Sequence, residues 1–415
     1  MFFIRTLRPL GAALLCIMVG TAMPASAVTL EQALSSANQT APALRAQRLA
    51  AQAAREDASA AGQLPDPRLV LGLQNLPIEG EDRGHLGADG MTMQMVGLMQ
   101  EVPNRAKRTA ERAMAGAAVD LSEAEYRVRR LDVRLATAEA WLEVHQREQQ
   151  LELFDELYEQ NRLLDAAVKA RLAGGQGALA ERPVASMERL LLDDRRDQLS
   201  SDLAVARTEL RSWIGALAYQ PTEGEWPHWL VSSERYRARL ADQPTLALYE
   251  PMSRERQASV NLAQANKRPD WSWELAYQRR AAGFNDMLSM QVSVGLPVFP
   301  GSRQNRRLAA REYELANVEQ DREAARLRLV QQLDSMLAEH QRLERTLERN
   351  LERLEPLAGE RAELALADYR AGRGTLDSLI SARREHIEIR LEQIERTAAL
   401  AISRARLELT FGDQP

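Results

Sequence analysis

The chain has 415 residues, 54 Lys and Arg against 59 Asp and Glu, a formal net charge of −5 and one cysteine. A mildly acidic balance excludes nucleic acid as an evident partner, and a lone cysteine excludes an intramolecular disulfide framework. Function must therefore be read from pattern rather than from composition.

Residues 1–27 read as an export signal. Arg5 and Arg8 precede an apolar run, and Ala25-Ser26-Ala27 supplies the small residues that a signal peptidase needs. The mature chain is expected to start at Val28. Cys16 lies inside the apolar run and follows the bulky Leu15, which argues against lipoprotein processing. Beyond residue 27 no apolar run approaches the roughly 20 residues of a membrane-spanning helix. Any crossing of a bilayer then falls to strands.

Residues 28–64 are expected to be helical, and 65–103 to form a β-hairpin. Its strands are 68–74 and 91–101, joined by a charged, glycine-rich loop over 75–90. From Pro103 to Pro183 there is no proline, and Gly116 is the only glycine before Gly174. The segment 104–172 is rich in Ala, Leu, Glu, Arg and Gln, strong helix formers, and as one helix it spans about 100 Å. Gly174, Gly175 and Gly177 then permit a tight reversal into a returning helix, so 104–215 is a long helical hairpin. Residues 216–240, with Pro221, Trp226, Pro227 and Trp229, fit neither rod nor hairpin and read as a side segment or belt.

The plan then repeats. A helical stretch over 241–268 leads to a second β-hairpin over 269–300, with alternating runs at 271–278 and 287–296, and to a second helical hairpin over 301–412. Pro103, Gly175, Gly177, Leu179, Leu203, Arg207, Leu210 and Gly215 recur as Pro300, Gly372, Gly374, Leu376, Leu400, Arg404, Leu407 and Gly412, each 197 residues on. One unit has been duplicated, which predicts two similar halves about a pseudo-twofold relation. In the second rod Leu343, Leu347, Leu351, Leu354 and Leu357 form an apolar stripe, and Pro356 with Gly359 should bend or unwind it locally. Thr375 is a fair N-cap for the last helix.

Strands of this size and alternation suit an outer-membrane barrel. The smallest such barrels have about eight strands, and an open edge in lipid leaves backbone groups unpaired, so several chains must share one barrel. Trp271, Trp273 and Tyr277 are expected at its lipid-facing wall or interfacial girdle. Met91, Met93, Met95 and Met99 have the even spacing of one strand face. They are candidate soft-metal ligands, but contact of an apolar face with lipid is the favoured account. The five histidines have no ligand spacing, and neither a phosphate loop, H-E-x-x-H nor G-x-S-x-G occurs, so no enzyme and no cofactor is predicted.

The order signal, helix, β-hairpin, very long helix, glycine turn and returning helix, twice over, resembles the TolC-like outer-membrane efflux channels. The run Tyr369-Arg370-Ala371-Gly372-Arg373-Gly374-Thr375-Leu376, followed by Leu379 and Ala382-Arg383-Arg384, is similar to the periplasmic tip turn of that family's heavy-metal branch. Ala61-Gly62-Gln63-Leu64-Pro65-Asp66-Pro67, and Met91-Thr92-Met93 before Gln100-Glu101-Val102-Pro103, are similar to copper/silver or cobalt/zinc/cadmium efflux members of the family.

The resemblance implies a mainly α chain with a transmembrane β part. Its homotrimer would form a twelve-strand barrel in outer-membrane lipid and a twelve-helix periplasmic cylinder. It further implies a passive, gated conduit for copper, silver, cobalt, zinc or cadmium ions, with a periplasmic adaptor and an inner-membrane RND-type pump as partners. The tip and docking residues would be Arg171, Gly174, Gly175, Gly177, Gly372, Arg373, Gly374, Thr375 and Asp377. Where the gap-free match puts the family's acidic residue this chain has Ser381, with Asp377 one turn earlier. Arg373 and Asp377 are expected to pair between neighbours as a weak latch. A drug or polypeptide exit duct keeps the same fold, and a periplasmic coiled-coil adaptor is the competing class.

Overall fold

The computed structural model describes residues 27–412, so the expected signal peptide, with Cys16, lies outside the described residues except for Ala27. The amino-terminal stretch is two helices, α1 (Leu30–Thr40) and α2 (Pro42–Ala60), where one was expected over 28–64. Pro42 causes the break: it holds Ala41 extended at φ −57°, ψ 122° and then serves as the first residue of α2.

β1 (Arg68–Gln74) and β2 (Met93–Val102) follow, and then α3 (Arg105–Ala173), a single uninterrupted helix of 69 residues. Asn104 caps it by accepting the Lys107 N–H at 2.9 Å. Asp270, from the other half of the chain, accepts from the Asn104 backbone N–H at 2.8 Å and from its amide at 2.9 Å. α4 (Val184–Ile214) returns along α3.

The connecting segment holds α5 (Ser233–Ala238) and α6 (Pro244–Ala247), and α7 (Tyr249–Ala265) leads to β3 (Trp271–Arg279) and β4 (Met287–Val294). Here too the expected single helix, over 241–268, is divided, with Pro244 opening α6 as Pro42 opens α2. The second rod is α8 (Gln304–Arg349), a π turn over Asn350–Leu354 and α9 (Glu355–Arg370), and α10 (Leu376–Phe411) returns. The π turn lies just before Pro356, which cannot donate the N–H that a continuing α-helix needs; Glu355 N–H instead reaches the Asn350 carbonyl, five residues back. Gly359 stays within α9. Leu347 is buried, but Leu351, Leu354 and Leu357 are 46%, 44% and 61% exposed, so the lower part of the leucine stripe is left largely uncovered by the described residues.

The four strands form one antiparallel sheet in the order β1-β2-β3-β4. Leu69 pairs with Leu98, Leu98 with Leu275 and Leu275 with Met290, and this row continues as Leu71, Val96, Tyr277 and Leu288. With a side-chain period of two, these residues share one face.

Residues 216–240 strap the middle of the rods. Val28 pairs in parallel with Thr222, and the buried Trp141 donates from Nε1 to the Val28 carbonyl at 2.9 Å. Glu148 accepts from Arg207 at 2.6 Å and from the Thr222 backbone N–H at 2.8 Å, while His145 lies 2.8 Å from the Thr222 hydroxyl. Further along, Tyr236 is fully buried among Leu333, Leu337, Leu407 and Phe411 and donates to Glu408 at 2.9 Å. One segment thus packs against both halves.

Asn104→Ala removes the α3 cap and the anchor for Asp270. The expected cost is about 1 kcal/mol, read as a lower thermal unfolding midpoint of the detergent-solubilised protein. An unchanged midpoint would mean that Asp270 alone suffices at this helix end.

Candidate functional site

The tip is built from two equivalent turns. In the first, Gln176 N–H donates to the Arg171 carbonyl at 3.0 Å and Gly175 N–H to that of Leu172 at 3.1 Å; in the second, Arg373 N–H donates to Asp368 at 2.9 Å and Gly372 N–H to Tyr369 at 3.1 Å. This is the Schellman pattern, with its left-handed residue at Gly175 (φ 67°) and Gly372 (φ 76°). Gly174 precedes the first as the helix cap at φ −78°.

Gly177 and Gly374 are needed for a different reason. Neither has a positive φ, but a Cβ on Gly374 would lie 3.2 Å from the Tyr369 nitrogen, and one on Gly177 would lie 3.2 Å from Leu172 Cδ2 and from Glu181. Thr375 caps α10, its hydroxyl accepting from Ser378 N–H at 3.2 Å.

Three side chains tie the turns together. Arg171, at the end of α3, donates to the Tyr369 carbonyl at 3.1 Å and to the Gln176 carbonyl at 3.0 Å, with its guanidinium 4.2 Å from the Tyr369 ring centroid. The fully buried Tyr369 donates its hydroxyl to Glu181 at 2.8 Å. Burial, and then the bond to Glu181, push the Tyr369 hydroxyl up to about 12.

Arg373 does not turn toward Asp377: it pairs with Asp368 in its own turn at 3.0 Å, and Asp377 is exposed with no ion pair among the described residues. Within one chain, then, Arg373 and Asp377 do not pair with each other. The tie between the two turns of one chain is the bond from Tyr369 to Glu181. The repeat carried a signal for Tyr369: it stands 197 residues after Leu172, an aromatic where the first copy has leucine.

Above the tip a cleft of about 370 Å³ opens between α3, α4 and α10, lined by Phe154, Leu192, Ile387 and Leu391 with Glu188, Arg383 and Arg384. Arg384 is ion-paired to Glu188, and burial pushes the Arg383 guanidinium below its ordinary value, opposed by Glu188. A turn higher, Arg390 reaches Glu156 at 2.6 Å, and its hydrogen bond holds that carboxyl below the ordinary range.

At the sheet, Trp271, Trp273 and Tyr277 lie on the apolar face with Leu275, and Trp271 is 44% exposed. The methionines do not. Met93, Met95 and Met99 have the opposite parity and share their face with Arg68, Gln74, Glu101, Glu274 and Gln278. The apolar-face account of the methionines is thus overturned, and Met91 falls in the turn before β2. Among the described residues no helix is long and apolar enough to cross a membrane, and no group of three or more His, Cys, Asp or Glu side chains is placed to hold a metal ion.

A four-stranded sheet continued by two long helical hairpins defines the fold of the outer-membrane efflux channels. A crystal structure of CusC, described in terms of folding and transmembrane channel formation, superposes with a TM-score of 0.77 at 15% identity, over 93% of this chain and 92% of that one. A membrane protein from Pseudomonas aeruginosa gives 0.78 at 18% identity, covering 92% of each chain. The outer membrane protein VceC of Vibrio cholerae gives 0.74 at 18%, over 92% of this chain and 96% of that one. No curated protein sequence matches. Residues 236–413, the second half of the chain, match the family described as outer membrane efflux protein.

Tyr369→Phe keeps the ring beneath Arg171 and removes only the bond to Glu181. Hydrogen bonds to charged partners contribute about 1.5–3 kcal/mol, so spin labels at positions 176 and 373 should report a broader distance distribution than in the parent. Because the folded-state value is raised from 10.0 to about 12, the neutral hydroxyl stabilises the tip fully below pH 10 and that stabilisation is lost as pH rises toward 12. A distribution unchanged by the substitution would assign the joining of the two turns to Arg171 alone.

Proposed function

We propose that this protein is the outer-membrane exit channel of a tripartite efflux system, exported by its signal sequence and assembled as a homotrimer. The observation that carries this reading is the sheet: an exposed apolar face, a polar face, and two edges, on β1 and β4, with no partner among the described residues. In lipid those edges must pair, and three copies supply twelve strands for a closed wall. Trp271, Trp273 and Tyr277 would then meet lipid. The exposed lower leucines of the second rod give each copy a surface to bury against its neighbour.

The rods extend the pore into the periplasm and end at the glycine turns. Arg171, Gly174, Gly175, Gly177, Gly372, Arg373, Gly374, Thr375 and Asp377 form the region where an adaptor docks and the closed state is released. The cleft beside Arg383 offers a groove for an adaptor helix. Energy comes from an inner-membrane pump, because nothing in a passive duct couples to a fuel.

Heavy-metal cations are the proposed cargo, on the likeness of the tip run at 369–376 to the metal-efflux branch. A drug or polypeptide duct is the alternative on the same fold. An adaptor role is disfavoured by the two hairpins and by the two-faced sheet.

Crosslinking in native membranes should give a trimer in the outer-membrane fraction; a soluble monomer of full helicity would overturn the proposal. In a strain that depends on this channel, Gly372→Val should lower metal tolerance at equal protein level, since a left-handed conformation costs an L-residue about 1–2 kcal/mol and more when β-branched. Wild-type tolerance would mean that the tip does not need glycine there.

A further inference from the structure

The polar face of the sheet carries four thioethers that contact with lipid does not explain, three of them on β2 and the fourth, Met287, opposite Gln278 on β4. Met93 stands opposite Gln74, Met95 between Gly72 and Gln278, and Met99 between Arg68 and Glu274. Charged and amide groups on every side make this the face turned to water, and an apolar side chain gains little there.

Two glycines keep the row open. Gly97 lies between Met95 and Met99 on the same face, where a Cβ would meet Ala276 at 3.1 Å and stand 3.4 Å from a Glu274 carboxylate oxygen. A Cβ on Gly72 would lie 3.1 Å from the Met95 methyl. Gln74 points its amide nitrogen at the Met95 sulfur, 3.5 Å away, so that sulfur already acts as a weak acceptor on the wet face.

Thioether sulfur is a soft, neutral ligand. It discriminates against Mg, Ca and Mn and favours monovalent copper and its silver analogue. Residues two apart on a strand are separated by about 7 Å, and three flexible bonds let a methionine sulfur move by several ångströms, so Met93 and Met95 can converge on one ion. Met99 adds a thioether beside the Glu274 carboxylate at the next level down.

We propose that this face of β2 is a ladder of soft-cation sites, at which Met93, Met95 and Met99 offer sulfur to monovalent copper- or silver-class ions passing along the barrel wall. The inference rests on the channel reading for the words "passing along", but the ligand set stands on the sheet register alone. No electron is transferred and no bond other than the coordinate one is made; water ligands are exchanged for sulfur and returned. Neutral ligands suit transit, because they bind without neutralising the ion.

The test uses the full mature chain in detergent, titrated calorimetrically with silver nitrate in chloride-free buffer, and the same preparation in planar bilayers in potassium nitrate. The parent should bind Ag⁺, and Ag⁺ should lower its conductance. The triple variant Met93→Leu, Met95→Leu, Met99→Leu should weaken binding by roughly tenfold or more and lose the silver effect, with its potassium conductance kept. Met290→Leu, on the apolar face, should behave as the parent does. A triple variant that binds silver and responds to it like the parent overturns the inference, as does a parent that ignores silver. A parent that binds silver through these methionines but forms no pore overturns the channel reading and transit, and leaves the ligand assignment standing.

Discussion

The ladder between β2 and β3 is the interaction on which the rest of the molecule depends. It joins strands from the two copies of the repeat, running from Gln94 opposite Arg279 to Val102 opposite Trp271. A slip of one residue would bring Trp273, Leu275 and Tyr277 to the face that carries Glu101. The same ladder sets the start of the helices. β2 passes through Pro103 and Asn104 directly into α3, and the residue just before β3, Asp270, holds Asn104 and reaches Lys107 at 3.3 Å. Strand register is thus converted at one point into the placement of a rod about 100 Å long.

The duplication keeps the order of elements, apart from the π turn of the second rod, and is loose in the side chains. Arg207 and Arg404 are equivalent positions, yet Arg207 is bound tightly to Glu148, whereas Arg404 lies 3.9 Å from Glu344. His145 is stacked on Trp141, edge-on to Trp226, and bonded to Thr222. Its counterpart His340 is equally buried, but its Nδ1 has no hydrogen-bond partner among the described residues. Burial lowers the proton affinity of both rings, opposed by Glu148 in one case and by Glu344 in the other. The first half is the more fully tied, because the belt wraps back onto it through Val28 and Thr222.

Architecture was legible in the sequence because it is written in long-range regularities: a fixed offset of 197, proline-free rods, and two lengths of period-two alternation. The glycine turns were legible as positions but not as mechanisms, since a left-handed Gly372 and a crowded Gly374 look alike in one-dimensional text. The ties at the tip were not legible: Tyr369, Arg171 and Glu181 meet only because two hairpins lie side by side. The face of the methionines was misjudged although its signal was present, for the parity that unites Met93, Met95 and Met99 also includes Glu101. Charge, rather than hydrophobicity, decides which side of such a strand is wet.

The π turn at Asn350–Leu354 gives the second rod a break in helical phase. One extra residue in a turn rotates everything below it by about 100° relative to a regular helix, so a stripe that continues in the sequence does not continue in space. Leu347, above the turn, lies against its own chain, and Leu351, Leu354 and Leu357, from the turn downward, look outward. A single rod therefore addresses two different surroundings without being cut. Within the turn the fully buried Asn350 amide has neither its oxygen nor its nitrogen paired among the described residues. From there α9 acts as a lever arm of about 24 Å. A bend of roughly 10° at the turn moves the glycine tip by about 4 Å, while α8 and the sheet above it stay where they are. The first rod, continuous from Arg105 to Ala173, has no such turn, so a bend of this kind would move one hairpin tip and not the other.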